Sequence, residues 1–185
     1  LANARRVPTV VSGEVDLRTG NAWEDLGCNG LAVARYKRAL VAGRYRELAA
    51  YYWRVRNYQV AIKQATKYLG VVGAGPWVHG LLADCHLALG NEKLSRHHYQ
   101  QALNCDADDT RSLARLAALS HAPEQVSELK MRIGQTSSPV ESQIEVAGEA
   151  VDDGNLDVAK ALIEGPSFDL AKLSDTEQQT QAIAI

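Results

Sequence analysis

The chain has 185 residues, 46% of them hydrophobic and 23% charged, with a formal net charge of −2. That suffices to bury a core as one domain or one solenoid. It holds no apolar run near the roughly 20 residues a membrane-spanning helix requires. Few segments alternate with period two, which argues against an all-β fold.

Charge is unevenly spread. Up to Leu69 there are twelve Lys and Arg against five acids, a balance of +7, which leaves −9 for the remainder. Such a split favours a partner with an acidic face for the first half, or head-to-tail contact between two copies as a homodimer. Cys28, Cys85 and Cys105 match no zinc spacing and include no CxxC, so they read as free thiols, with a Cys85–Cys105 bridge the alternative in a secreted setting. No cofactor and no metal are expected. The chain opens on Leu1 rather than Met, which reads as a processed or trimmed product. Cytoplasmic and periplasmic locations both stay open.

In chain order, residues 1–26 include VPTVVSGEVDLRTGN, with β-branched residues, Pro8, Gly13 and Gly20. This reads as an extended or loop-like arm lacking helical periodicity. Residues 31–42 (LAVARYKRALVA) read as a helix, Gly43 as a break, and residues 44–55 as the next helix. Asn57 opens NYQVAIKQATKYL, and GVVGAGP (70–76) reads as a connector. It has no GK[ST] and no preceding strand, so it is not a phosphate loop. Pro76 suits a first helical position. The stretch Pro76–Asp109 reads as two short helices about Gly90. Asp109 or Thr110 caps TRSLARLAALS, and Pro123 and Gly134 bound the helix after it. A polar QTSSP link leads to another pair ending at Gly165–Pro166, and residues 166–185 read as a capping helix or tail.

Within Pro76–Asp109, Ala83 is followed seven residues later by Gly90, then by Tyr99 and Ala102. Steps of thirty-four residues from Ala83 reach Ala49 and Ala117, both inside apolar runs. Gly27, Ala32, Tyr36 and Ala39, and Ala147, Gly154, Leu156 and Ala159, hold related offsets. In 42–75 the large and small positions look exchanged, with Ala65 and Tyr68. This pattern resembles the tetratricopeptide repeat (TPR). The resemblance implies an all-α fold, an antiparallel helix-pair solenoid over residues 27–165, whose first repeat lacks a recognisable first helix.

In that family the first helices of successive repeats line a concave groove. Carried over by position, the groove comprises Arg46, Ala50, Trp53 and Arg54, then Trp77, Gly80, Asp84 and Leu87, then Arg111, Ala114, Ala118 and His121. Arginine pairs bidentately with carboxylates and tryptophan offers a flat apolar surface, so the expected ligand is a peptide segment bearing acidic residues. The alternative is that Trp53 and Trp77 fill gaps between repeats. The paired Lys and Asn of a carboxylate clamp are missing at the matching positions.

His86, His97 and His98 read as solvated side chains rather than metal ligands, since adjacent residues on a helix point about 100° apart. Cys85–His86 and Ser120–His121 form no local dyad for the same reason, and no catalytic site is found. The function implied is a non-enzymatic adaptor, assembly factor or chaperone, with bacterial pilus and secretion machines as one setting. A structural subunit of a larger complex and an RNA-binding helical repeat are the other classes. Tyrosines interleaved with cations favour the last, and a pI near 6.2 weighs against nucleic acid.

Overall fold

Residues 9–39 and 41–164 are described in a computed structural model, with side chains for 13–39 and 43–164. They are all-α. In chain order the helices are α1 (Thr9–Asp25), α2 (Asn29–Arg38), α3 (Val41–Arg54), α4 (Tyr58–Val72), α5 (Pro76–Ala88), α6 (Glu92–Cys105), α7 (Thr110–Ala118), α8 (Pro123–Ile133), α9 (Pro139–Asp152) and α10 (Leu156–Ile163). Successive helices form antiparallel pairs, and no strand occurs among the described residues. The described residues divide into two compact units, one of residues 9–39, 41–74 and 84–89, the other of 75–83 with 90–164.

Four of the turns share one construction. A small residue near the end of the first helix is followed seven positions later by a residue of positive φ, and then by the N-cap of the second helix. The sets are Gly20, Gly27 (φ 72°) and Cys28; Ala49, Arg56 (φ 59°) and Asn57; Ala83, Gly90 (φ 76°) and Asn91; Ala147, Gly154 (φ 77°) and Asn155. The chain must reverse in three residues, and the left-handed conformation does this at least cost when the residue is glycine. Four positions past each N-cap lies another small residue, Ala32, Ala61, Ser95 or Ala159, each at most 2% exposed. Small residues on both facing helices let the axes approach closely, since interaxial distance follows side-chain size.

The thirty-four-residue interval holds where it was drawn. Ala49, Ala83 and Ala117 are all fully buried near the ends of α3, α5 and α7. The turn after Ala117 is built differently. Pro123 occupies the first position of α8, and Gln125 Oε1 accepts from the amides of His121 (2.8 Å) and Ala122 (3.2 Å). Asn155 Nδ2 donates to the Ala117 carbonyl at 3.2 Å, tying the start of α10 to the end of α7.

The largest correction concerns the N-terminal arm. Residues 9–25 are helix α1, the missing first helix of the first pair, and not an extended segment. Its buried positions Gly13, Asp16 and Gly20, with partly buried Leu17, follow helical spacing. They are not large apolar residues, so hydrophobic periodicity did not reveal them. A Cβ at Gly20 would lie 2.5 Å from Tyr36 Cε1, so the absence of a side chain there makes room for the α2 tyrosine. Asp16, 5% exposed, pairs with Arg35 at 3.2 Å and Arg38 at 3.7 Å on α2.

Gly43 is likewise a packing residue and not a helix break. It lies inside α3, where a Cβ would meet Leu17 Cδ1 at 2.8 Å. The break comes earlier, at Ala39, whose backbone is extended (ψ 165°). Helix α4 runs on to Val72 and ends at Gly73 (φ 101°), so the connector before Pro76 is shorter than its glycines suggest. Residues 1–8 of the expected arm and the expected cap over 166–185 lie outside the described residues.

Candidate functional site

In the first unit, Arg46, Ala50 and Trp53 form a stripe along α3, spaced four and three residues apart as one helix face requires. Arg46 and Trp53 are exposed and Ala50 is half-buried. Arg54 is differently employed. Its Nε and Nη2 donate to Glu24 Oε1 and Oε2 at 2.6 and 2.7 Å, a bidentate pair between α3 and α1. Glu24 Oε2 also lies 2.8 Å from the Tyr36 hydroxyl, which shares its one proton between that carboxylate and Asn21 Oδ1 at 2.7 Å. The Arg54 hydrogen bond holds the Glu24 carboxyl below the usual carboxylate range, opposed by burial and aided by the Tyr36 hydroxyl. Burial first, then Glu24, pushes the Tyr36 phenol up. This network joins the first two helix pairs, and Glu24 went unnoticed in the sequence because its partners lie 12 and 30 residues away.

Asp84 is half-buried on the C-terminal half of α5. The neighbouring Cys85 is fully buried, and desolvation, helped by the Asp84 charge, pushes its thiol up to about 12. A thiol so protonated is neither nucleophile nor ready metal ligand. All three cysteines are free.

In the second unit, Trp77 and Arg111 are brought together. They line one cleft of about 230 Å³ with Pro76, Gly80, Asp106, Asp109 and Ser112. The start of α5 supplies one wall, and the α6–α7 link with the start of α7 the other. The local chain makes this geometry firm. Pro76 opens α5, and Asp109 caps α7 by accepting from the Ser112 amide (3.3 Å) and hydroxyl (2.6 Å). Asp106 Oδ1 accepts from the Asp108 amide at 3.1 Å. Both acids are thus partly engaged by the chain itself. Gly80 is buried, yet a Cβ built there would meet nothing within 4 Å outside its own helix, so the cleft has open depth above it.

The other groove positions sit elsewhere. His121 lines a separate cleft of about 490 Å³ with Pro123, Val126, Lys130, Asn155 and Val158 among others. Ala114 is 6% exposed and faces the core, because α7 packs against α6, α8 and α9. The exposed stripe of α7 is Arg111 and Arg115 instead.

His98 is not a solvated side chain. Its Nδ1 lies 3.2 Å from Nδ1 of His79 on α5, one ring donating N–H to the other. His79 is 7% exposed, and burial first, then the charge of His97, lowers its pKa. His97 is exposed, as expected. No group of three or more His, Cys, Asp or Glu side chains comes together in a metal-binding arrangement among the described residues. None of the described helices is long and apolar enough to cross a membrane.

No protein-family model and no curated protein sequence matches this chain. Solved structures do resemble it. MamA protein superposes with a TM-score of 0.59 at 13% identity, over 83% of this chain and 91% of that one. YrrB, described as a TPR protein with an unusual peptide-binding site, superposes with a TM-score of 0.55 at 15% identity, over 92% and 91%. At these identities the likeness concerns the fold alone. The chain has an all-α, TPR-like fold.

Proposed function

We propose that this TPR-like chain is a non-enzymatic protein-interaction module that binds peptide segments of partner proteins on its first helices. The observation that carries the reading is the Trp77–Gly80–Arg111 cleft, open above a glycine and edged by one indole and one guanidinium. An apolar side chain of the peptide would rest on Trp77 above Gly80, and a neighbouring carboxylate would reach Arg111. In the first unit the Arg46–Trp53 stripe offers the same pair of groups to an acidic segment. Arg54 contributes less there, because Glu24 already occupies its fork. Asp84 and His121 belong to the reading only as further contacts for a longer ligand. An adaptor, assembly-factor or chaperone role, with pilus or secretion assemblies as one setting, follows from the resemblance and belongs to the same proposal.

The test is titration of an acidic peptide carrying one aromatic or leucine anchor, followed by tryptophan fluorescence and calorimetry. Gly80→Leu should fill the cleft without unfolding α5, and Arg111→Glu should place a like charge before the ligand. Each should weaken binding about tenfold or more, the scale of a lost buried anchor or charge-assisted pair. Unchanged affinity in both variants would refute the cleft while leaving the fold intact.

A further inference from the structure

Helices α8 and α10 run side by side in the second unit and are tied together at both ends. At one end Asn155, the N-cap of α10, donates from Nδ2 to the carbonyls of Ala117 and Ser120 at 3.2 and 3.5 Å, where α7 ends and the link to α8 begins. At the other end Lys130 Nζ on α8 donates to the carbonyl of Glu164, the C-cap of α10, at 3.2 Å. Between these ties lies the cleft of about 490 Å³ that His121 lines. Its opening has a local cause. The link from α7 ends in an extended residue, Ala122 (ψ 148°), before Pro123 starts α8, and two of the residues facing the gap, Ala122 and Ala161, are too short to fill it.

The lining is an apolar floor with a charged rim, the composition of a binding cleft. Val158 is 3% exposed, and Val126, Ala122 and Ala161 are half-buried. Lys130 on α8 and Asp157 on α10 are exposed, and neither forms an ion pair among the described residues. The tie to the Glu164 carbonyl engages one N–H of the Lys130 ammonium and leaves its other donors for a ligand. Asp157 precedes Glu164 by seven residues, about 10 Å along a helix. The negative and positive ends of the cleft are thus about that far apart along α10. A free amino acid, whose opposite charges are separated by one carbon atom, cannot meet both. In an extended chain, residues four apart face the same way about 13 Å from each other, with one further side chain between them on that face. Long charged side chains take up the small difference.

We propose that this cleft docks a short extended segment of a partner protein, with a basic, an apolar and an acidic residue at alternate positions. The basic side chain meets Asp157, the apolar one rests on Val126 and Val158, and the acidic one meets Lys130. The surface is separate from the Trp77–Arg111 cleft and does not depend on it.

The experiment titrates the full chain with a labelled synthetic peptide carrying lysine, leucine and glutamate at alternate positions between serines, followed by fluorescence anisotropy at low salt. Replacing the peptide's leucine by serine should weaken binding about tenfold, the scale of a lost apolar anchor. Ala161→Leu, which fills the cleft, should do the same, with circular dichroism checking that the helix content is kept. Asp157→Lys should weaken binding about fivefold, the upper range for an exposed ion pair. A second peptide, with glutamate in place of the lysine, should bind Asp157→Lys better than it binds the parent chain, a gain that a folding defect cannot produce. Gly80→Leu should leave all of these affinities unchanged. Equal affinity for the leucine and serine peptides, no loss in Ala161→Leu, or no gain by the second peptide overturns the proposal. So does concentration-dependent dimerisation in sedimentation velocity that Ala161→Leu abolishes while the peptide fails to bind, which would assign the cleft to a second copy of the chain.

Discussion

Replacing Gly20 by alanine tests whether α1 is held as described, because the substitution sets two effects of opposite sign against each other. In an exposed helix interior, Gly→Ala stabilises by about 1 kcal/mol. At Gly20 the new methyl would lie 2.5 Å from Tyr36 Cε1 and 2.7 Å from Cδ1, well inside contact distance. Tyr36 is fully buried, and its hydroxyl is pinned by Asn21 and Glu24. The ring cannot swing aside without lengthening hydrogen bonds worth about 0.5–3 kcal/mol each, the larger value applying to the charged acceptor. Overpacking of this kind costs about 1–3 kcal/mol, so, set against the gain of about 1 kcal/mol, the net expectation runs from about zero to a loss of about 2 kcal/mol. Gly70 in α4 is the control, since a Cβ there meets nothing within 4 Å, and Gly70→Ala should stabilise by up to about 1 kcal/mol. Urea denaturation followed by circular dichroism reads both midpoints. If Gly20→Ala stabilises the chain as much as Gly70→Ala does, Tyr36 does not pack against α1, and the first helix pair is wrongly assigned.

Arg56 holds a φ of 59° where three other turns use glycine, so Arg56→Gly should raise stability by about 1 kcal/mol in thermal melts. Glu24→Gln should destabilise the first unit by about 1 kcal/mol, a figure held down by the solvent exposure of Arg54 and checked by the urea midpoint. For His79, burial depresses the folded-state pKa below the ordinary value of about 6.5. Stability is therefore present above about pH 6.5 and is lost as pH falls through the folded value, because the unfolded chain takes up the proton first. Urea midpoints measured from pH 8 to 5 should show this fall, and His79→Gln should flatten it. Towards a thiol reagent in the native state, exposed Cys105 should react promptly and Cys85 only as the chain unfolds.

Fold class was legible because the repeat constraint is local and steric. Ala83, Gly90 and Ala102 mark where two helices touch and where the chain turns, and a residue's size is written in its letter. The same rule misread α1 and Gly43, where the small residues were glycines. In sequence a glycine signals a break, but in a packed helix it can make room for a neighbour's side chain, here Tyr36 and Leu17. Of the candidate groove, Trp77 and Arg111 were placed in one cleft, 34 residues apart in sequence and one repeat apart in space.

Order along the chain was thus enough to determine that this protein is helical, that its helices come in pairs, and roughly where each pair turns. Only tertiary packing decided that Arg54 is taken by a glutamate thirty residues away, and that His98 is not solvated but meets His79 across a helix pair. The physical reason is the range of the interactions. Turn geometry and close helix contact depend on residues within a few positions of one another, whereas ion pairing and desolvation depend on whatever the fold brings alongside.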